Sequence, residues 1–244
     1  MALTANLDWG NFDRRDCVLR YVTGPHLLGI DDPPPAVRDE VAVVIEPPEY
    51  VIGPRRLPTR PHETHGLRLT QLSLREFVRR LLGGNLTTML PLLAPDEAIV
   101  HRSQLGSDLF GEPADLLEES LPRSLVAYLR DKRPELPDRR RGADSYDAEL
   151  ALLLIRLGHQ GLQALNEQRV TLPVPEPLRG HLRRIRAGEA RLADVLNEVD
   201  ELIEGLKVAP LHMRIPPVDL GYEQALISIY REHWDETWRP IGLE

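Results

Sequence analysis

The chain has 244 residues, 42% of them hydrophobic and 28% charged, a composition ordinary for a globular protein with a core of its own. Its formal net charge of −8 argues against a protein that coats nucleic acid non-specifically. No apolar run approaches the roughly 20 residues needed to span a bilayer.

Met1 to Asn11 lacks the basic-then-apolar pattern of a secretion signal. The single cysteine, Cys17, excludes an internal disulfide, so an intracellular, cytoplasmic location is expected. Cys17 to Thr23 and Val41 to Ile45 are rich in β-branched residues and predict strands. Leu67 to Leu72, with imperfect alternation, predicts a third that runs into a helix. Ser73 is placed to cap that helix, and Glu76 completes a capping box. Leu74, Phe77, Val78, Leu81 and Leu82 keep helical spacing until Gly83-Gly84 stops them, with Gly84-Asn85 as the helix end. The 22 prolines cluster at 33–35, 47–48, 54–61, 173–177 and 216–217 and punctuate the chain between elements.

From about Asp115 the pattern turns helical. Asp147 to Leu165 is apolar nearly all round and predicts a central, buried helix. Leu192, Val195, Leu196, Val199, Leu202, Ile203 and Leu206 form one stripe, and Tyr222 to Trp234 form another. The sum is an α+β chain, with an α/β front and a helical back. Trp234 to Trp238 either dock the last helix on its own core or meet a partner or a second copy of the chain. Arg139-Arg140-Arg141 and the stretch His181 to Arg191 are basic clusters that predict solvated faces.

A zinc site is not expected. His62 and His65 are close but lie in a Pro-rich loop with no further ligand at zinc-like spacing, His159 falls near a helix end, and His212 and His233 stand alone. The chain has no G-x-x-x-x-G-K loop, no G-x-G-x-x-G after a strand and no G-x-S-x-G elbow, which excludes the common nucleotide hydrolases, dehydrogenases and α/β-hydrolases.

Three early segments carry a resemblance: Val22-Thr23-Gly24-Pro25-His26-Leu27-Leu28-Gly29, Arg38-Asp39-Glu40, and Val44 to Gly53. Ser73-Leu74-Arg75-Glu76-Phe77, Gly84-Asn85, Leu90 to Pro95, Ile155 to Gly161 and Thr171 to Pro177 continue it in order through nearly the whole chain. Together they resemble the RlaP-like nucleotidyltransferases of the polymerase-β superfamily, proteins frequent in phage genomes. The resemblance implies a nucleotidyltransferase-like mixed sheet with helices over residues 1–110 and a helical domain over 111–244. It also implies two-metal phosphoryl transfer: a Gly-Ser turn holds phosphate, and two aspartates one residue apart join a third acid to bind two divalent ions.

At those places this chain departs. The Gly-Ser turn is Gly24-Pro25, and proline carries neither a hydroxyl nor an N–H for phosphate. A family histidine falls on Leu28 and the first paired aspartate on Val37; Asp39 alone matches. The third acid falls on Arg68, and a lysine and a histidine of the central helix fall on Glu149 and Leu153. The resemblance with these substitutions implies a pseudoenzyme that needs no cofactor and binds a protein, a nucleotide or an RNA end, in the host cytoplasm if phage-encoded. The alternative is a divergent enzyme using Mg2+ or Mn2+ held by Asp39, Glu40 and loop acids such as Asp31 and Asp32. Arg68 could hold phosphate in place of a metal ion. Gly24, Arg156 and Gln160 are the other candidate phosphate-binding positions. Arg156 and Gln160, four apart on one helix face, either line the cleft or simply hydrogen-bond each other. Asp39 carries the same ambiguity, as catalytic residue or as ion-pair partner of Arg38 or Arg68.

Overall fold

The β-branched and apolar residues of Cys17–Thr23 produce the strand β1 with its expected bounds, and β1 lies second from one edge of a five-stranded sheet. In this computed structural model the described residues are 14–31, 35–54, 57, 61–64, 66–93, 95–109, 120–138, 140, 142, 144–167, 169–209 and 220–237. The remaining strands are β2 (Arg38–Val44), β3 (His62–Thr64), β4 (Leu67–Ser73) and β5 (Ile99–Arg102). Their order is β3-β4-β2-β1-β5, with β2 and β4 parallel and the other pairs antiparallel. β2 begins three residues before the expected Val41. Its polar start, Arg38-Asp39-Glu40, is ordered by pairing on both sides, to β1 and to β4. β3, which falls in the Pro-rich stretch read as loop, is an edge strand on β4.

The helices are α1 (Gly24–Leu28), α2 (Pro48–Val51), α3 (Leu74–Leu82), α4 (Leu86–Met89), α5 (Gln104–Leu109), α6 (Ser120–Lys132), α7 (Ala148–Glu167), α8 (Leu178–Arg186), α9 (Leu192–Val208) and α10 (Leu220–Thr237). The chain is therefore α+β, a mixed sheet followed by a mostly helical C-terminal region. None of the helices among the described residues is long and apolar enough to cross a membrane.

Local chemistry sets the ends of α3. Ser73 Oγ accepts a hydrogen bond from the Glu76 amide at 3.1 Å, as the capping pattern requires. The expected capping box is only half made, because the Glu76 carboxylate turns outward to Arg79 and Arg80 at 2.6 to 2.8 Å. Those arginines, Arg79 first, hold that carboxyl down at about 2. At the other end Gly84 takes a φ of +67°, and the amides of Gly84 and Asn85 close on Leu81 and Arg80 carbonyls. Asn85 then opens α4, its Oδ1 accepting from the Thr88 amide at 3.0 Å.

α7 is the buried centre expected of it, enclosed by α6, α8 and α9. A Cβ at Gly158 would stand 2.7 Å from Leu202 Cδ1, so α9 approaches α7 over a bare backbone. The α9 stripe buries Val195, Val199, Leu202, Ile203 and Leu206 against it. α10 is tied down by polar contacts: Tyr230 donates a short hydrogen bond to the buried Glu46, and Trp234 Nε1 donates to the Glu46 carbonyl at 2.9 Å. Trp234 thus docks on its own core. One continuous hydrophobic cluster runs from Val18 on β1 to Tyr230 on α10. The boundary expected between residues 110 and 111 falls outside the described residues, as do Met1 to Asn11, Asp32, His65, Asp115, Arg139, Arg141, His212 and Trp238.

His159 sits well inside α7 rather than at its end, and it meets His181 of α8 across one carboxylate of α9. The Glu198 oxygens accept from His159 Nε2 at 3.1 Å and His181 Nε2 at 2.8 Å. Burial pushes the Glu198 carboxyl up, but the two imidazoles outweigh it and the group lies below its ordinary value. A depressed carboxyl stabilises the fold at pH above its unfolded value of about 4.5, and that stability is lost as pH falls through the folded value. Acid unfolding followed by circular dichroism is expected to shift for Glu198→Gln: the wild type loses stability below about pH 4.5 more steeply than the variant does.

Candidate functional site

The start of β2 sets the site. Register places Asp39 beside Thr23 of β1 and beside Arg68 of β4. Alternate side chains of a strand point to opposite faces. Val43 on the Asp39 face joins the main core, whereas Ala42 and Val44 on the Glu40 face join a second cluster with Cys17 and Leu69. Glu40 is fully buried there, paired with Arg20 at 2.5 Å and with Arg38. It therefore does not join Asp39 as a ligand, contrary to the active-enzyme expectation.

Asp39 meets a cation instead. Arg68 Nη1 donates to Asp39 Oδ1 at 3.2 Å, and Arg68 Nε donates to Glu63 Oε1 at 2.7 Å. The guanidinium, held further toward its charged form by Glu63 and then Asp39, lies between two carboxylates. Of the two ion-pair readings for Asp39, the partner is Arg68, and Arg38 goes to Glu40. Glu63 was not anticipated, because β3 lies in a stretch whose prolines hide its pairing.

Gly24 is fixed by this carboxylate. Its φ is +64°, and a Cβ there would stand 3.0 Å from Asp39 Oδ2, so a side chain at this position is strained twice over. Pro25 follows in a helix of only five residues and removes one of its few amide donors. Val37, half-buried just before β2, carries no oxygen. A pair of divalent ions does not fit these residues: one carboxylate is neutralised by Arg68, the next faces away, and the third position is apolar. Among the described residues no group of three or more His, Cys, Asp or Glu side chains is placed to hold a metal ion.

The positions singled out on α1 and α7 come together. Gly24, Pro25, Leu28, Glu149, Leu153 and Arg156 all line one cavity of about 470 Å³, closed on one side by Arg186 of α8. Arg186 donates to Glu149 at 2.7 Å and, through a short contact, to Asp31. Asp31, a loop acid in the active-enzyme alternative, is thus the ion-pair partner of Arg186. Arg183, one turn earlier, donates to the Ile30 carbonyl at 2.6 Å, so α8 straps down the segment after α1. These arginines belong to the basic cluster expected to be solvated; several of its members face carboxylates and carbonyls of the chain itself.

Arg156 meets both expectations, whereas Gln160 meets only the hydrogen-bonding one and lines a different cavity. Arg156 lines the cavity and its Nη1 donates to Gln160 Oε1 at 2.7 Å. Arg156 is only 5% exposed, and burial pushes its guanidinium down to about 10. The Nε of Arg156 and the Nε2 of Gln160 are buried without a partner. A larger cavity of about 760 Å³ lies between α10 and α2, lined by Ile52, Leu226, Tyr230 and Trp234 among others, and includes none of the candidate catalytic, phosphate-binding or metal-binding positions.

Removing Glu40 leaves Arg20 without the carboxylate it is buried against, so Glu40→Ala is expected to cost about 3 kcal/mol in urea unfolding. A residue serving a metal ion would show its effect in divalent-ion titrations instead. Compared with known proteins, the chain is matched by no family model, no curated protein and no solved structure.

Proposed function

We propose that this chain is a nucleotidyltransferase-like protein that binds and does not transfer, a pseudoenzyme whose cleft engages a partner molecule without a divalent cofactor. The observation that carries the reading is the Arg68 guanidinium hydrogen-bonded to Asp39. Two-metal transfer needs clustered negative charge to gather cations, and here the position beside the surviving carboxylate carries a positive charge. Pro25, Val37 and Glu40, which is buried on the opposite face of β2, support the same reading, since each withdraws a donor or a ligand from the place where the chemistry would occur.

The partner classes compatible with this reading are a protein, a nucleotide or an RNA end, with self-association as a further mode. The single buried thiol, Cys17, supports a cytoplasmic setting, the host's if the chain is phage-encoded.

The test is a labelling assay. The protein is incubated with each α-labelled nucleoside triphosphate, RNA acceptors and Mg2+ or Mn2+. No labelled product is expected, and no metal-dependent rise in the unfolding midpoint. A labelled product that Asp39→Asn abolishes would sink the proposal in favour of a divergent transferase. The double substitution Val37→Asp with Arg68→Asp is expected to gain divalent-ion binding, measured by calorimetry.

A further inference from the structure

The cavity between α1 and α7 contains a charge that no described residue neutralises. Arg156 donates to the neutral amide of Gln160, and its Nε is buried with no partner. The carboxylates that share the cavity are engaged elsewhere: Glu149 with Arg186, and Asp147 with the Leu150 amide at the start of α7. Gln160 Nε2, a second donor next to the guanidinium, is also buried and unmet. An uncompensated buried cation is costly, and a buried amide donor adds to the cost. Both costs are offset if an anion enters from outside.

The walls indicate which anion. Pro25, Leu28, Ile30, Leu150 and Leu153 are apolar. Arg186, the other cation there, is already taken by Glu149 and Asp31. A polyphosphate would bring several charges to meet one free guanidinium, and it would desolvate them against leucine. A single planar oxyanion on an apolar body suits both parts, because the unused Nε edge of a guanidinium accepts a carboxylate two-fold. The volume of about 470 Å³ is that of a small-molecule site.

We propose that this cavity binds a small organic acid, its carboxylate held by Arg156, whose guanidinium Gln160 orients, and its apolar body lodged among Leu28, Ile30 and Leu153. The inference rests on the non-transferring reading and goes beyond its partner classes by assigning the cleft a small organic acid.

The experiment uses the full chain in EDTA, with benzoate as probe and thermal unfolding as readout. Benzoate about tenfold above its Kd is expected to raise the midpoint by about 4 °C. Benzamide, the neutral isostere, and inorganic phosphate at equal ionic strength are expected to leave it unchanged. Arg156→Met should abolish the benzoate shift while its own midpoint stays level or rises, since an unpaired buried charge has been removed. Arg75→Met, in the larger cavity under α10, should keep the shift. If Arg156→Met fails to fold, Leu28→Trp decides: filling the cavity with Arg156 intact must also abolish the shift. The proposal is overturned by equal shifts with benzoate and benzamide, by a shift that survives Arg156→Met or Leu28→Trp, or by no shift at all. None of these outcomes produces a labelled nucleotide product, so failure here is distinct from failure of the non-transferring reading.

Discussion

A helix that is apolar on nearly every side has to be surrounded, and that constraint on α7 organises the molecule. Leu154, Ile155 and Leu165 are fully buried, and α6, α8 and α9 enclose the helix they belong to. The approach is close because Gly158 and Gly161 present bare backbone to Leu202 and Leu125. The same enclosure puts Arg156 and Gln160 where water does not reach them. Polar groups so placed need partners more than exposed ones do, and the hydrogen bond between these two leaves Arg156 Nε and Gln160 Nε2 unmet among the described residues.

Around the site, cations stand where a metal-dependent catalyst would gather anions. Arg68 spans Asp39 and Glu63, Arg20 and Arg38 enclose Glu40, and Arg186 spans Glu149 and Asp31. These five carboxylates are thereby matched within the protein. The exposed pair at Arg68 contributes little to stability, since water screens it. Its effect is on the local field, because the guanidinium offsets negative charge that would otherwise draw divalent ions.

The sequence made the regular parts legible. Cys17–Thr23 was readable to the residue because β-branched residues are dense there, and α7 and α9 announced themselves through regular apolar spacing. The start of β2 was hidden because Arg38, Asp39 and Glu40 have no strand signal of their own and owe their conformation to neighbours on both sides. β3 was hidden for the same reason, aggravated by flanking prolines. At the site, the candidate positions on α1 and α7 do share one cavity, but their partners were not readable. Arg186 lies 37 residues from Glu149, and Glu198 lies 39 from His159 and 17 from His181. Such pairings depend on how helices stack, which periodicity does not encode. The half-made capping box at Glu76 shows the limit at short range too, because nearby arginines competed for its carboxylate and won.

The attachment of α10 has a consequence for the order in which the chain can assemble. Tyr230 reaches Glu46 across 184 residues and His233 reaches Asp16 across 217, so the two ends of the chain meet through some of its most distant contacts. Closing loops of that length defers these contacts until the intervening elements have condensed. Until then Glu46, at the exit of the second strand, lacks the phenol that covers it. The Glu46 carboxylate just past the end of β2 therefore stays uncovered until α10 docks, so the sheet's environment is completed only when that distant helix arrives.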